Sequence, residues 1–335
     1  MWIGKHGIYL IAEIGGNHEG DFYKAKKLTE LACATGVDAV KFQIYTADTL
    51  VSKVEDPERY THFKKFELTP EQHISLAEIC KKNKVTYLAS VWDMNALEWI
   101  DPYIKFYKIG SGDLTAYPIL ERIAKIGKPI IISTGLATIE EVRESVACVR
   151  SIDDRYMQSD YLALLQCTSS YPLPECDVNL RVMKTLKNEF NVTVGYSDHT
   201  VDSYAAEVAV SMDASILEFH FTDDKKQSSF RDHQVSFTAK EIKDLIDKIK
   251  RIKKLQGSSE GSPTQSEIES GNVHSFRRDI YAAKDLQAGD IITESALKFL
   301  RPDRNSDITH WRNFIGRTLD RPVAKYQKIS SDFIS

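Results

Sequence analysis

The chain has 335 residues, 42% hydrophobic and 27% charged, which excludes collagen, disorder and a stapled mini-protein and fits a globular protein with a sizeable core. At roughly 100–200 residues per domain, the length predicts two domains or one large α/β domain with a small appendage. Lysine and arginine total 44 against 48 aspartate and glutamate, a formal net charge of -4, so no global basic field exists to hold nucleic acid or an anionic membrane.

The first apolar run, Ile8 to Ala12, is interrupted by Glu13, too soon for a signal peptide or a membrane span. Runs rich in β-branched and aromatic residues then recur at 9–15, 39–45, 86–92, 106–112, 129–135, 161–167, 192–198 and 215–221. Segments with helical spacing of apolar residues fall between them at 21–35, 70–83, 117–126, 138–151, 177–189 and 201–211, with 238–255 after the last. Strands that are apolar on both faces, alternating with helices, form a parallel sheet, and eight such units predict a closed (β/α)₈ TIM barrel. An open doubly wound sheet would need a glycine-rich phosphate fingerprint after the first strand, and GGNHEG is not that pattern. Near Leu255 the texture changes. Residues 256–274 read as a polar Ser/Gly-rich linker, and 275–335 as a small β-rich unit after the barrel of 1–255. The five cysteines, Cys33, Cys80, Cys148, Cys167 and Cys176, are scattered and contain no CxxC pair, the usage of a reduced, cytoplasmic protein.

Polar residues crowd the C-terminal ends of the predicted strands: Glu13, Lys41, Gln43, Ser90, Lys108, Ser111, Ser133, Thr134, Thr168, Ser169, Ser197, His199 and His220. In a barrel that end carries the chemistry, because the βα loops open there. His199 and His220 end neighbouring strands and their imidazoles can converge on one divalent metal with open positions, a Lewis-acid site. Glu13 is placed to be a third ligand, a support for the ligands or a general base. Lys41 and Lys108 interrupt strands that otherwise exclude charge, which an anionic ligand explains, although an ion pair with Glu13 or Asp113 would also do so. In FRDHQVSF (230–237), Asp232 and His233 are candidates to bind a polyol. Cys167 ends a strand without a histidine fixed beside it by sequence, which reads as an inert buried thiol.

The motifs AEIGGNHEGD, VKFQ, YKIGSGD, IISTG, CTSSYP, GYSDHT and EFHFTDDK, in that order, resemble the sialic acid synthase family over essentially the whole chain. The C-terminal unit resembles the antifreeze-like (SAF) domain of that family. The resemblance implies condensation of phosphoenolpyruvate with the open-chain form of an N-acylated hexosamine, with release of phosphate and dependence on Mn²⁺ or Mg²⁺ held by His199 and His220. It implies that Lys41, Gln43, Lys108, Ser111, Ser133, Ser169 and Ser197 hold phosphoenolpyruvate, and that Asp113, Tyr171 and Asp232 face the sugar. Glu13 would handle a proton at the reacting centre. A domain-swapped homodimer is implied too, with Arg301 of one subunit reaching the sugar in its partner. Asp113 stands where the family usually has glutamate, Phe219 where a basic residue commonly precedes the second histidine, and Val91 where threonine commonly follows serine. These departures surround the sugar, so N-acetylmannosamine, its 6-phosphate and a 2,4-diacetamido-trideoxyhexose all stay open. A metal-dependent barrel hydrolase or isomerase acting on a sugar through His199, His220 and Glu13 is the rival; it has no use for the lysines.

Overall fold

A computed structural model of the protein describes residues 2–226, 230–302 and 308–335. Eight parallel strands hydrogen-bond in chain order and close on themselves, β1 pairing with both β2 and β8. They are β1 (Tyr9–Glu13), β2 (Ala39–Ile44), β3 (Thr86–Val91), β4 (Tyr107–Ile109), β5 (Ile130–Ser133), β6 (Leu162–Cys167), β7 (Thr193–Asp198) and β8 (Ile216–His220). The fold is the expected TIM barrel.

Successive side chains in a strand point to opposite faces, and that alternation builds two different cores. Outward residues such as Leu10, Val40, Phe42, Ile132, Leu164, Tyr196 and Phe219 pack under the helices. Inward residues fill the barrel's lower half with Trp2, Tyr9, Ile11, Ala39, Leu88, Phe106, Ile131, Leu165 and Ile216. Space inside is tight at β7: a Cβ on Gly195 would lie 2.3 Å from the Ile216 carbonyl oxygen and 2.7 Å from Leu165, so no larger residue fits.

The outer helices include α1 (Phe22–Cys33), α2 (Ala47–Leu50), α3 (Pro57–Phe66), α4 (Pro70–Lys82), α5 (Leu97–Ile100), α6 (Tyr117–Ala124), α7 (Ile139–Ile152), α8 (Val182–Phe190), α9 (Tyr204–Ser211) and α10 (Ala239–Gln256). Several start on a reciprocal cap that satisfies orphan N–H groups: Thr69 with Gln72 on α4, Thr138 with Glu141 on α7, and Thr238 with Glu241 on α10. Some elements differ from expectation. The run at 106–112 yields only a three-residue strand, with Ser111–Asp113 turning as a 3₁₀ segment beyond it. Helices α2 and α3 carry no apolar stripe, since Phe66 is the only buried residue of α3; its start is instead set by Asp56 capping Arg59 and by Pro57.

The chain divides into two compact units, Met1–Gly257 and Ser258–Ser335. The second holds an antiparallel pair, β9 (Asp279–Ala282) with β10 (Leu297–Leu300), around a core of Ile280, Leu286, Ile292, Phe314, Leu319, Val323 and Ile329. Two short helices, Gln265–Glu269 and Asn272–Ser275, form inside the Ser/Gly-rich stretch. Among the described residues no helix is long and apolar enough to cross a membrane.

His73 of α4 is buried against Phe42 and Trp99, with Nδ1 2.9 Å from the Tyr87 hydroxyl. Burial, aided by repulsion from His18, pushes its pKa down to about 3. The unfolded chain therefore binds the extra proton as pH falls below the ordinary histidine value. The His73 contribution is intact above about pH 6.5 and is lost on acidification at up to about 1.4 kcal/mol per pH unit. Urea unfolding between pH 7.5 and 5.5 should show a shallower loss of stability in His73→Gln than in the natural chain; equal slopes would contradict this.

Candidate active site

The upper, C-terminal half of the barrel interior continues the same alternation with polar side chains. Glu13 follows Ile11, Lys41 follows Ala39, Ser90 follows Leu88, Ser133 follows Ile131, Cys167 follows Leu165, and Glu218 then His220 follow Ile216. Together with Gln43, Lys108, Ser111, Asp113, Ser169, Tyr171, Ser197, His199 and Asp232 they line one open cavity of about 510 Å³. The barrel residues named from the sequence for the metal, phosphoenolpyruvate and sugar are thus brought to this cavity, His233 excepted. Arg301 belongs to the second unit, just after β10, where its guanidinium lies 5.6 Å from the Phe276 ring.

At the floor four buried charges interlock. Lys41 Nζ is 2.9 Å from Glu13 Oε2 and 3.8 Å from Glu218 Oε2. Lys108 Nζ donates to Ser133 Oγ at 2.7 Å and lies 3.5 Å from Glu218 Oε1, which also accepts from Ser197 Oγ at 2.9 Å. Gln43 Nε2 donates to Glu13 Oε1 at 3.0 Å. Burial works against the Lys41 ammonium, but the Glu13 and Glu218 carboxylates outweigh it and hold its pKa above the ordinary lysine value. At Lys108 burial prevails over the pull of Glu218, with repulsion from Lys41 adding to it, and the pKa falls. Glu218 is held below the usual carboxylate range: burial opposes this, and Lys108, Lys41 and the Ser197 hydroxyl overcome it. Both readings of the lysines therefore meet here, because an ion pair to Glu13 exists and the ammonium groups also face a cavity. Glu13 is thereby held at both oxygens, Oε2 by the Lys41 ammonium and Oε1 by the Gln43 amide.

Glu218 was not legible as a strand-end residue, since it lies one repeat below His220. The signal was the alternation itself: in Ile216, Glu218, His220 the charge sits on the inward face. Arg59, His62 and Phe63 of α3, with Trp92, Phe230 and Arg231, form the upper wall and were likewise missed. The helix that brings the first three lacks the apolar periodicity that would announce it.

His199 and His220 face each other on the rim, ring centroids 5.4 Å apart, with Tyr171 packed 4.0 Å from the first and edge-on 5.8 Å from the second. His199 Nδ1 is 2.8 Å from the Thr168 carbonyl, which can only accept, so the proton sits on Nδ1 and the Nε2 lone pair is free. His220 Nδ1 is buried without a hydrogen bond, and the closest carboxylate oxygen, Asp232 Oδ2, is 3.9 Å away. Burial lowers the pKa of both rings, keeping them neutral and able to ligate. This donor set fits a divalent cation. Among the described residues no group of three or more His, Cys, Asp or Glu is arranged to hold one, so water or substrate oxygens would complete the coordination.

Cys167 Sγ lies 3.9 Å from His199 Nδ1, but that nitrogen is committed to Thr168, and burial raises the thiol pKa. It is no activated nucleophile. Asp232 pairs with Arg231, whose guanidinium stacks 4.4 Å over Tyr171. His233, by contrast, turns away from the cavity to bond Thr222 Oγ1 at 2.6 Å and Glu19 at 3.3 Å, correcting its reading as a polyol contact. Burial raises the Asp113 carboxyl to about 6 against the opposing pull of Lys108.

A profile of the NeuB family matches residues 28–261, and the SAF domain profile matches 277–332. The N,N'-diacetyllegionaminic acid synthase of Legionella pneumophila is 36% identical, over 93% of this chain and 90% of that protein. Its Campylobacter jejuni counterpart is 34% identical, over 92% and 94%. A crystal structure of N-acetylneuraminic acid synthetase from Leptospira borgpetersenii in complex with citrate superposes with a TM-score of 0.71 at 29% identity, covering 79% of this chain and 90% of that one.

Removing one partner from the buried quartet leaves an uncompensated charge. Lys41→Ala should cost about 3–5 kcal/mol in urea unfolding, because it strips Glu13 of its cation and leaves Glu218 with Lys108 alone. A loss below about 1 kcal/mol, the level of an exposed pair, would show that water screens the cluster.

Proposed function

The chain belongs to the NeuB family and carries its SAF domain, and on that premise we propose that it is a nonulosonic acid synthase condensing phosphoenolpyruvate with an open-chain N-acylated hexosamine. The observation that carries this reading is the meeting of two buried ammonium groups and two neutral imidazoles in one cavity, at the mouth where barrel enzymes work. The named activities of the relatives support it.

Lys41, Lys108 and Gln43, with the hydroxyls of Ser111, Ser133, Ser169 and Ser197, would bind the phosphate and carboxylate of phosphoenolpyruvate. Gly135 helps set this cradle: its N–H donates to Ser111 Oγ at 3.1 Å, and a Cβ there would lie 2.7 Å from Ser111 Oγ and 2.8 Å from Ser169 Oγ. Tyr171, Asp113 and Asp232 would orient the sugar. His199 and His220 would hold Mn²⁺ or Mg²⁺, which when bound polarises the sugar aldehyde. C3 of phosphoenolpyruvate forms the new bond to the aldehyde carbon, and the aldehyde oxygen takes up a proton. Water adds at C2 and gives up a proton, and the C2–O bond then breaks to release inorganic phosphate and leave a 2-keto acid. Glu13 is the base proposed for the proton of that water, its carboxylate held ready by Lys41 and Gln43.

The acceptors open to this site are N-acetylmannosamine, its 6-phosphate and a 2,4-diacetamido-trideoxyhexose. A domain-swapped homodimer, in which Arg301 of one protomer reaches the sugar bound by its partner, completes the proposal, with a cytoplasmic setting supported by the scattered cysteines.

Phosphate release from phosphoenolpyruvate should require both an acetamido sugar and a divalent ion, and the product mass should equal that of the sugar plus one whole pyruvic acid. Phosphate release without sugar, or none with any of the three acceptors, would favour the hydrolase or isomerase reading. His220→Ala should lower turnover by more than about 100-fold. In mixed dimers, Arg301→Ala combined with His220→Ala should partly restore activity, because one active site then has both an intact barrel and an intact arginine; no recovery would indicate a self-contained subunit.

A further inference from the structure

The mechanism above uses every charged group at the cavity floor except Glu218. This carboxylate is 6% exposed, touches both lysines and Ser197, and leaves Oε2 without a hydrogen bond. Its neighbours Lys41 and Lys108 are the groups best placed to grip an anion, and together with Glu13 it cancels their charge: two ammonium groups face two carboxylates. A site built only to bind a phosphorylated substrate tightly would leave at least one ammonium uncompensated. Here a fixed negative charge stands inside the cradle, within 4 Å of both ammonium groups.

We infer that Glu218 is a positioning residue that holds Lys41 and Lys108 in place and weakens the grip of the floor on inorganic phosphate, so that the product leaves. This rests on the phosphoenolpyruvate reading. At this depth the field of a neighbouring carboxylate is weakly screened, and it opposes any dianion that the lysines draw in. A ligand bound through both a phosphate and a carboxylate spreads its charge over the cradle and engages more of its donors, whereas free phosphate lacks the contacts made by the carboxylate and depends more on the lysines. The carboxylate therefore disfavours product more than substrate, and binding energy is not spent on a product trap.

The experiment is calorimetric titration of inorganic phosphate into the full-length, EDTA-treated protein and into Glu218→Gln, which removes the charge and keeps the shape. Glu218→Gln should bind phosphate about tenfold or more tightly than the natural chain, while Glu218→Asp, which keeps the charge, should stay within about threefold of it. A merely structural role would loosen binding in both variants. In turnover, Glu218→Gln should show a lower phosphate inhibition constant, a lower KM for phosphoenolpyruvate and a lower kcat, the split expected when release slows. Equal or weaker phosphate binding in folded Glu218→Gln overturns the inference and leaves the synthase reading untouched. If neither protein binds phosphate or phosphoenolpyruvate, the synthase reading itself fails. Should Glu218→Gln not fold, Glu218→Ala makes the same change of charge with room for water and is held to the same outcomes.

Discussion

The neutral quartet of Lys41, Glu13, Glu218 and Lys108 is the constraint around which the barrel's upper half is organised. Charges so deep inside a sheet wall are tolerated only in mutual contact, here at 2.9–3.8 Å between ammonium and carboxylate. Four strands contribute one member each, so correct pairing of β1, β2, β4 and β8 is a condition for burying any of them. Closure of the barrel and assembly of the cradle are for that reason a single event: β8 must return beside β1 for Glu218 to meet Lys41.

Below that layer the same strands bury Ile11, Ala39, Ile131, Leu165 and Ile216. The apolar layer gives the barrel its stability and the polar one its chemistry, two residues apart on every strand. Gly195 is needed for the lower layer to close, and Gly135 for the upper one, where its N–H reaches Ser111. On the rim, Thr168 fixes the His199 tautomer through a backbone carbonyl, so the orientation of a metal-competent imidazole is decided by the loop after β6. The loop at 230–237 is tied back in the same way: the Asn17 amide holds Phe221 and Ser236, and His233 holds Thr222, which leaves Asp232 pointing into the cavity.

The barrel was legible because its cause is local. Continuous apolar strands and capped amphipathic helices announce themselves within a dozen residues, and polar strand ends such as Lys41, Lys108, His199 and His220 stand out against an apolar background. Helix α3 was not legible, because its stability comes from a cap and a proline and not from a buried stripe. Glu218 was hidden for another reason: a lone glutamate in a strand is ambiguous until its face is known, and the face follows from counting back from His220.

By itself the amino-acid sequence determined the architecture, the ring of polar strand ends and the family, all of which are periodicities or ordered motifs carried by near neighbours in the chain. Only the tertiary structure decided that Lys41 and Lys108 share a counter-ion in Glu218, that His233 turns away while Asp232 turns in, and that Cys167 sits beside a histidine unable to activate it. Each of those depends on which side chains meet across strands far apart in sequence. Such meetings are fixed by the register and closure of the sheet, and no local pattern encodes them.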